Sequence, residues 1–309
     1  GLAYSIQSFL CNAGSLAGYL FPFIFAAIGI SNTASKGVIP DSVIYSFYIG
    51  ALILILCVIY TSIKVKEYPP KEYAAYHGIA GENKKEKVNI FKLLVKAPKV
   101  FWTVGLVQFF CWAAFMFMWT YANGTVALNV FDTPTVEKIV GGVSKTVLDT
   151  QSLQYQSAAD WVGILFAVQA IGSVIWAALI PMIKNRKFAY AFSLLLGGAG
   201  FISVFFIHDP YVLFASFLLI GCAWAAMLAL PFTILTNALT FGHMGTYLGL
   251  FNGTICIPQI VAASFGGMIL SRFTTPGAVA PEVDMLVLAG VCLIIGACCV
   301  GIIKEEQSL

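Results

Sequence analysis

The chain has 309 residues, of which 60% are hydrophobic and only 10% charged, less than half the share of charge carried by an ordinary globular domain. Water is therefore not its main solvent, and a formal net charge of +3 is no footprint of a nucleic-acid surface. The apolar residues gather into eight stretches of about 19 to 25 residues without Lys, Arg, Asp or Glu, the length a helix needs to cross roughly 30 Å of hydrocarbon.

In chain order the predicted spans are Ser5 to Ile28, Val43 to Ile63, Val100 to Tyr121, Trp161 to Ile183, Ala189 to Ile207, Tyr211 to Leu235, Tyr247 to Leu270 and Met285 to Ile303. Runs such as 51–57 are apolar on every side, which excludes the alternating strands of a β-barrel. Lipid requires each backbone group to be paired within its own segment, so the stretches are predicted helices and the fold class all-α, polytopic. The bilayer is the one partner composition alone implies.

Positive charge is retained on the cytoplasmic side of short loops. Residues 64–99 hold nine Lys, residues 184–187 three basic residues, and Lys304 follows the last span, whereas the alternate loops hold only Lys36, Lys138, Lys145 and Arg272. This places both ends of the chain in the cytoplasm of a cell (inner) membrane and the loop from Ala122 to Asp160 outside. The chain opens with Gly-Leu-Ala-Tyr directly into an apolar stretch, without an initiator Met, and is expected to be the remainder of a longer one.

Residues 64–99, with Tyr68-Pro-Pro70, a Gly78 to Gly81 turn and the Glu82 to Lys87 charge run, read as a cytoplasmic linker. The predicted organisation is thus two spans (1–63), a linker (64–99) and a six-span bundle (100–309). Two spans before and six after are what remains of paired six-span halves when four spans are lacking. The eight Cys all fall in predicted spans, without metal-ligand spacing, and read as small hydrophobes. The Asn123-Gly-Thr125 acceptor pattern carries no weight.

Candidate site residues are polar or indole side chains inside spans. Phe101, Gly105, Gln108, Trp112, Phe115 and Trp119 recur every three or four residues, hence along one helical face. Such a face suits a carbohydrate, whose C–H faces pack on aromatic planes and whose hydroxyls pair with amides. Packing, or for Trp119 an interfacial belt, is the alternative. Asn252 and Gln259, seven residues apart, share a face of the seventh span and need partners at that depth, either a substrate or another helix. Pro258 between them frees a carbonyl and permits a kink. Gln169 and Trp224 are further candidates, and Asp160 reads as a surface carboxylate at a span end. Gly14 and Gly18, and Gly245, Gly249 and Gly253, form small-xxx-small series expected at close helix contacts.

His77, His208 and His243 lie in loops or at span ends, so no intramembrane base or metal cluster is visible. No cofactor or metal is expected, and an enzyme is disfavoured. A channel would need rings of charge or a filter loop, and neither is evident.

Gly245-Thr-Tyr247-Leu-Gly249-Leu-Phe251-Asn252, continuing through Ile255 and Ile257 to Pro258-Gln259-Ile260, resembles the signature opening the eleventh span of sucrose/proton symporter-like members of the major facilitator superfamily, the glycoside-pentoside-hexuronide cation symporter type. Residues 224–231 resemble that family's tenth span, Gln108-Phe-Phe-Cys-Trp112 with Trp119-Thr-Tyr121 its seventh, and Lys66-Glu-Tyr-Pro-Pro70 the central loop of bacterial members. In register, the chain corresponds to spans five to twelve, so that eight of twelve helices are present. The resemblance implies a secondary active transporter of a disaccharide such as sucrose or maltose, coupled to protons and working by alternating access. A facilitator without ion coupling is the alternative. Phe232 stands where the family commonly has Tyr, and the family's coupling acid belongs to the first four spans, so coupling is assigned to no residue here.

Overall fold

The computed structural model describes residues 2–32, 38–66, 68–69, 72, 75–76, 90–140, 143–239 and 244–304. The helices are α1 (Leu2–Ala27), α2 (Asp41–Lys64), a short α3 (Ile90–Val95), α4 (Lys99–Asn129), α5 (Leu153–Leu179), α6 (Arg186–Ser203), α7 (Leu213–Ala238), α8 (Met244–Phe251), α9 (Gly253–Phe273) and α10 (Glu282–Val300). With α8 and α9 counted as one broken span, eight helices among the described residues are long and apolar enough to cross a membrane. This is a multi-pass, predominantly helical membrane protein, and each predicted span coincides with one of these helices.

The ends of the spans are corrected. α4 runs eight residues past Tyr121, to Asn129, and α5 begins at Leu153, eight residues before Trp161. Polar Asn123 and Thr125 end the apolar run but not the i to i−4 ladder, and Thr125 Oγ1 itself donates to the Tyr121 carbonyl at 2.8 Å. At 1.5 Å per residue α4 is about 46 Å long, and its last turns stand beyond the hydrocarbon. The region read as a loop from Ala122 to Asp160 is thus helix at both ends. Between them lie two antiparallel strands, β1 (Thr135–Val140) and β2 (Val143–Leu148), with Lys138 opposite Lys145. Of the predicted linker, α3 and a few flanking residues are described; the Gly78 to Gly81 turn, the Glu82 to Lys87 run, His77, His243 and Lys36 lie outside the described residues.

The chain forms two units, one of residues 20–96 and one of residues 1–19 with 97–309. In the first, Ser42 Oγ donates to Asn32 Oδ1 at 2.6 Å, the Phe25 ring lies 6.4 Å from that of Tyr45, and Leu52 to Leu56 are all exposed, as lipid-facing side chains are. In the second, α4, α5, α6, α7, the α8–α9 span and α10 make a bundle whose core is centred on α4 and α7. Tyr190, Phe115, Phe201, Phe217 and Phe251 are its largest fully buried rings.

Helices in lipid associate through close packing rather than through a hydrophobic driving force, so small residues mark the crossings. A Cβ on Gly221 of α7 would collide with the Gln169 carbonyl oxygen of α5, and one on Gly172 of α5 would stand 2.6 Å from the Leu218 carbonyl oxygen. Ser173 Oγ bridges this crossing, donating to the Gly221 carbonyl at 2.8 Å. Gly197, Gly198, Gly200 and Gly290 serve the α6 contacts with α7 and α10 in the same way. The series expected at contacts does not. Gly14, Gly18, Gly245 and Gly249 have nothing within 4 Å of an added Cβ, and Gly253 only the tip of Ile257. Spacing on one helix does not say whether a second helix lies against it.

Candidate functional site

α4 presents one continuous stripe, and the structure divides it between two neighbours. Near the Lys99 end, the Phe101 ring packs on Phe251 (5.7 Å) and Tyr247 (6.1 Å) of α8. Gly105 admits Thr254, whose Cγ2 stands 3.0 Å from an added Cβ. Beyond Gly105 the same stripe meets α7. There Trp224 is surrounded by Trp112 (5.6 Å, interplanar 78°), Phe115 (4.8 Å) and Trp119 (5.6 Å, 82°). Both indole pairs meet edge to face, the arrangement favoured by the ring quadrupole. Three of the four candidate indole and amide positions on α4 and α7 are therefore one aromatic cluster, which spacing on α4 alone did not reveal.

The fourth, Gln108, stands one turn below Trp112 and is fully buried. Its Nε2 donates to the Met227 carbonyl of α7 at 3.2 Å, and its Oε1 has no hydrogen-bond partner among the described residues. The Trp112 indole N–H is buried and unpartnered as well. An acceptor and a donor are thus both unspent beside the ring cluster. Such groups cost roughly 1 to 3 kcal/mol each when left unpaired. From Lys99 to Gln108 is about 14 Å of helix, and from Leu213 to Trp224 about 17 Å, which puts Gln108 and Trp224 near the middle of a span, while Trp119, about 30 Å along α4, is exposed toward the far end.

Sequence reasoning missed a third polar group of this kind. Asn12 of α1 is fully buried; its Nδ2 donates to the Ser8 carbonyl at 2.7 Å, and its Oδ1 has no partner among the described residues. Ser8 Oγ in turn donates to the Ala225 carbonyl of α7 at 3.2 Å. On α7, at about 100° per residue, Trp224 projects between the Ala225 and Met227 directions, flanked by Ser8 on one side and Gln108 on the other. An amide in an apolar span is the signal that could have found Asn12, the same one that singled out Asn252. Toward the Lys99 end Tyr4 stacks on Phe232 (5.9 Å, 25°), and Phe232 meets Phe251 (5.6 Å), so an aromatic plug made of α1, α7 and α8 side chains lies on that side of the cluster.

The other candidates fall elsewhere. Gln169 is buried at the α5–α7 crossing, its backbone against Gly221, one turn of α7 from Trp224. Asn252 is exposed and stands at the junction of α8 and α9, itself in helical conformation, its N–H donating to the Leu248 carbonyl and its carbonyl accepting from the Cys256 N–H; Gln259, seven residues on, is half-buried. The break follows from sequence: Gly253 follows Asn252, Thr254 Oγ1 donates back to the Phe251 carbonyl at 2.7 Å, and Pro258 supplies no N–H to the turn before it. Asp160 is exposed. Asn123 to Thr125 lie within α4, with Gly124 and Thr125 buried, and so do not form an open acceptor loop.

One further feature was not anticipated. A cavity of about 620 Å³ lies at the opposite end of α4 from Lys99, roofed by the β-hairpin and lined by residues that include Thr120, Asn123, Lys138, Asp149, Tyr155 and Glu282. Thr146 Oγ1 donates to the Gly277 carbonyl at 3.1 Å, and the Asp149 amide donates to the Pro134 carbonyl at 2.8 Å, which fixes the roof at both edges. No protein-family model matches the chain, and no curated protein matches it either.

Proposed function

We propose that the chain is spans five to twelve of a twelve-span transporter of the major facilitator type, carrying a disaccharide by alternating access, with proton-coupled uptake as its mode. The observation that carries this reading is the ring cluster of Trp112, Trp119 and Trp224 with an unspent Gln108 acceptor and Trp112 donor. Rings offer stacking faces to sugar C–H surfaces, and the neutral amide and indole N–H offer hydrogen bonds without the cost of a buried charge. A solute hydroxyl, which both donates and accepts, pairs with either group. The resemblance of residues 245–260 to the symporter signature supports the same assignment. In this reading Pro258 and the α8–α9 break mark the element that moves, and the Tyr4–Phe232–Phe251 plug is the barrier on the cytoplasmic side.

Proteoliposomes of the full-length protein test it. Labelled sucrose or maltose should accumulate above the outside concentration when an inward proton gradient is imposed, and only equilibrate when it is collapsed. Equilibration under both conditions assigns a facilitator, and no sugar entry under either overturns the sugar reading. The orientation has its own test: Lys138→Cys should react with an impermeant maleimide only from outside the cell, and Lys184→Cys only from the cytoplasm. The reverse pattern overturns the topology.

A further inference from the structure

We infer that the cavity beneath the β-hairpin is a second solute site, an entrance vestibule for an uncharged, hydroxyl-rich molecule; the inference rests on the transport reading above and extends it from one binding site to two. The cavity lies between the last turns of α4, the start of α5, the hairpin and the first turn of α10. Its volume of about 620 Å³ is in the range of small-molecule sites.

The chemistry of its wall selects the ligand. The Glu282 side chain of α10 lies flat against α4 at Gly124, where any Cβ would collide with the carboxylate. Glycine at 124 is thus what lets a carboxylate reach the cavity floor. Among the described residues no hydrogen bond or ion pair engages that carboxylate. On the same turn of α4, Asn123 Oδ1 is buried and also unpartnered. The buried Asn123 acceptor and the half-buried Glu282 carboxylate beside it, neither with a donor among the described residues, favour a ligand that donates.

A metal cation is disfavoured, because Lys138 lines the same cavity and no group of three His, Cys, Asp or Glu side chains able to hold a metal occurs among the described residues. An anion is disfavoured by Glu282 and Asp149. A neutral polyol fits these groups: its hydroxyls donate to Glu282, to Asn123 and to Thr120 Oγ1, whose own proton goes to the Met116 carbonyl at 2.8 Å, and accept from Lys138, while Tyr155 offers a ring face. Asp149 keeps its place in the rim through Oδ1, which accepts from the Gln151 amide at 3.0 Å.

The test is the stoichiometry of labelled sucrose and of labelled maltose bound at equilibrium to the purified full-length protein in nanodiscs. Wild type should bind two molecules per chain at saturation. Glu282→Gln, which keeps the shape and removes the charge, should bind one, with the affinity of the remaining site changed by less than about twofold. Gly124→Ala, which displaces the carboxylate from its seat, should do the same; if it does not fold, Glu282→Gln alone decides. A stoichiometry of one that is lost in Gln108→Ala and untouched in Glu282→Gln overturns the vestibule and leaves the proposed function standing. A stoichiometry of one that is lost in Glu282→Gln and untouched in Gln108→Ala supports the vestibule and overturns the site at Gln108. Two sites insensitive to Glu282→Gln overturn the vestibule. Absence of binding by both sugars overturns vestibule and sugar reading together.

Discussion

α4 and the α8–α9 span run in the same direction, both carry amides within apolar sequence, and they differ in how many of their sides are covered. α4 buries nineteen residues distributed around its circumference. α9 buries Pro258, Ala262 and Gly266, a single stripe at intervals of four. The same chemical feature, an amide on a membrane span, therefore has different consequences. Gln108 is held between two helices with one group bonded and one unspent, whereas Asn252 is exposed at a helix break. Burial on several sides fixes an amide in a geometry a ligand can use. A single contact stripe leaves the helix free to shift, which suits a moving element better than a recognition surface.

The largest effect that would break this comparison lies at the tightest crossing. Gly221→Val places a branched side chain where even a Cβ meets the Gln169 carbonyl oxygen, and overpacking of a tight contact costs about 1 to 3 kcal/mol or more. Most of the folded, monodisperse protein should be lost on size-exclusion chromatography. Gly267→Ala on α9, with nothing within 4 Å of the added Cβ, should behave as wild type. Equal behaviour of the two variants would contradict the assigned packing.

Next in size is Trp224→Ala. It removes the ring on which Trp112, Phe115 and Trp119 converge; Trp224 is half-buried, so the loss should lie below the roughly 3 to 5 kcal/mol of a fully buried aromatic. Thermal-shift measurements on the purified protein should show a clear fall in Tm. Asn252→Ala, at an exposed site, should stay within about 0.5 kcal/mol of wild type. A similar loss in both would mean that the α8–α9 span is packed more tightly than its exposure indicates.

Gln108→Leu sharpens the comparison rather than breaking it. Leu fills the space and removes the unpaired Oε1, but it also removes the donor to the Met227 carbonyl, whose helical partner position is taken by Pro231 without an N–H, so stability should fall by about 1 to 3 kcal/mol and sugar affinity at the cluster by roughly tenfold. A destabilised variant with normal binding would reassign Gln108 to structure. The smallest expected effect is that of Gln259→Ala on half-buried Gln259, below about twofold in apparent sugar affinity.

The spans were legible because the cost of an unpaired backbone group in lipid leaves a long apolar run no other structure. The faces were legible only within a helix. The 3-4 spacing from Phe101 to Trp119 is a true stripe, but nothing in it tells that Phe101 and Gly105 meet α8 and α9 while Trp112, Phe115 and Trp119 meet Trp224. Which glycines lie at crossings was not legible either, because Gly172 and Gly221 stand at unremarkable positions and are identified only by the backbone that approaches them. The hairpin carried a signal, two β-branched runs around Gly141-Gly142, which the charged residues interspersed in that loop obscured. Glu282 was not legible as a site residue because the apolar run of the last span starts at Met285, three residues after the carboxylate seated on Gly124.

Equilibrium binding of labelled disaccharide at the Gln108–Trp224 cluster tests the central claim most directly, measured on purified full-length wild type, Gln108→Ala and Trp112→Phe with folding checked by thermal shift. A lost hydroxyl bond costs on the order of 1 kcal/mol or more, so the account predicts affinity roughly tenfold weaker in Gln108→Ala and a smaller loss in Trp112→Phe, which keeps a ring but removes the N–H. Affinity unchanged in both folded variants would contradict the account and leave the cluster as packing alone.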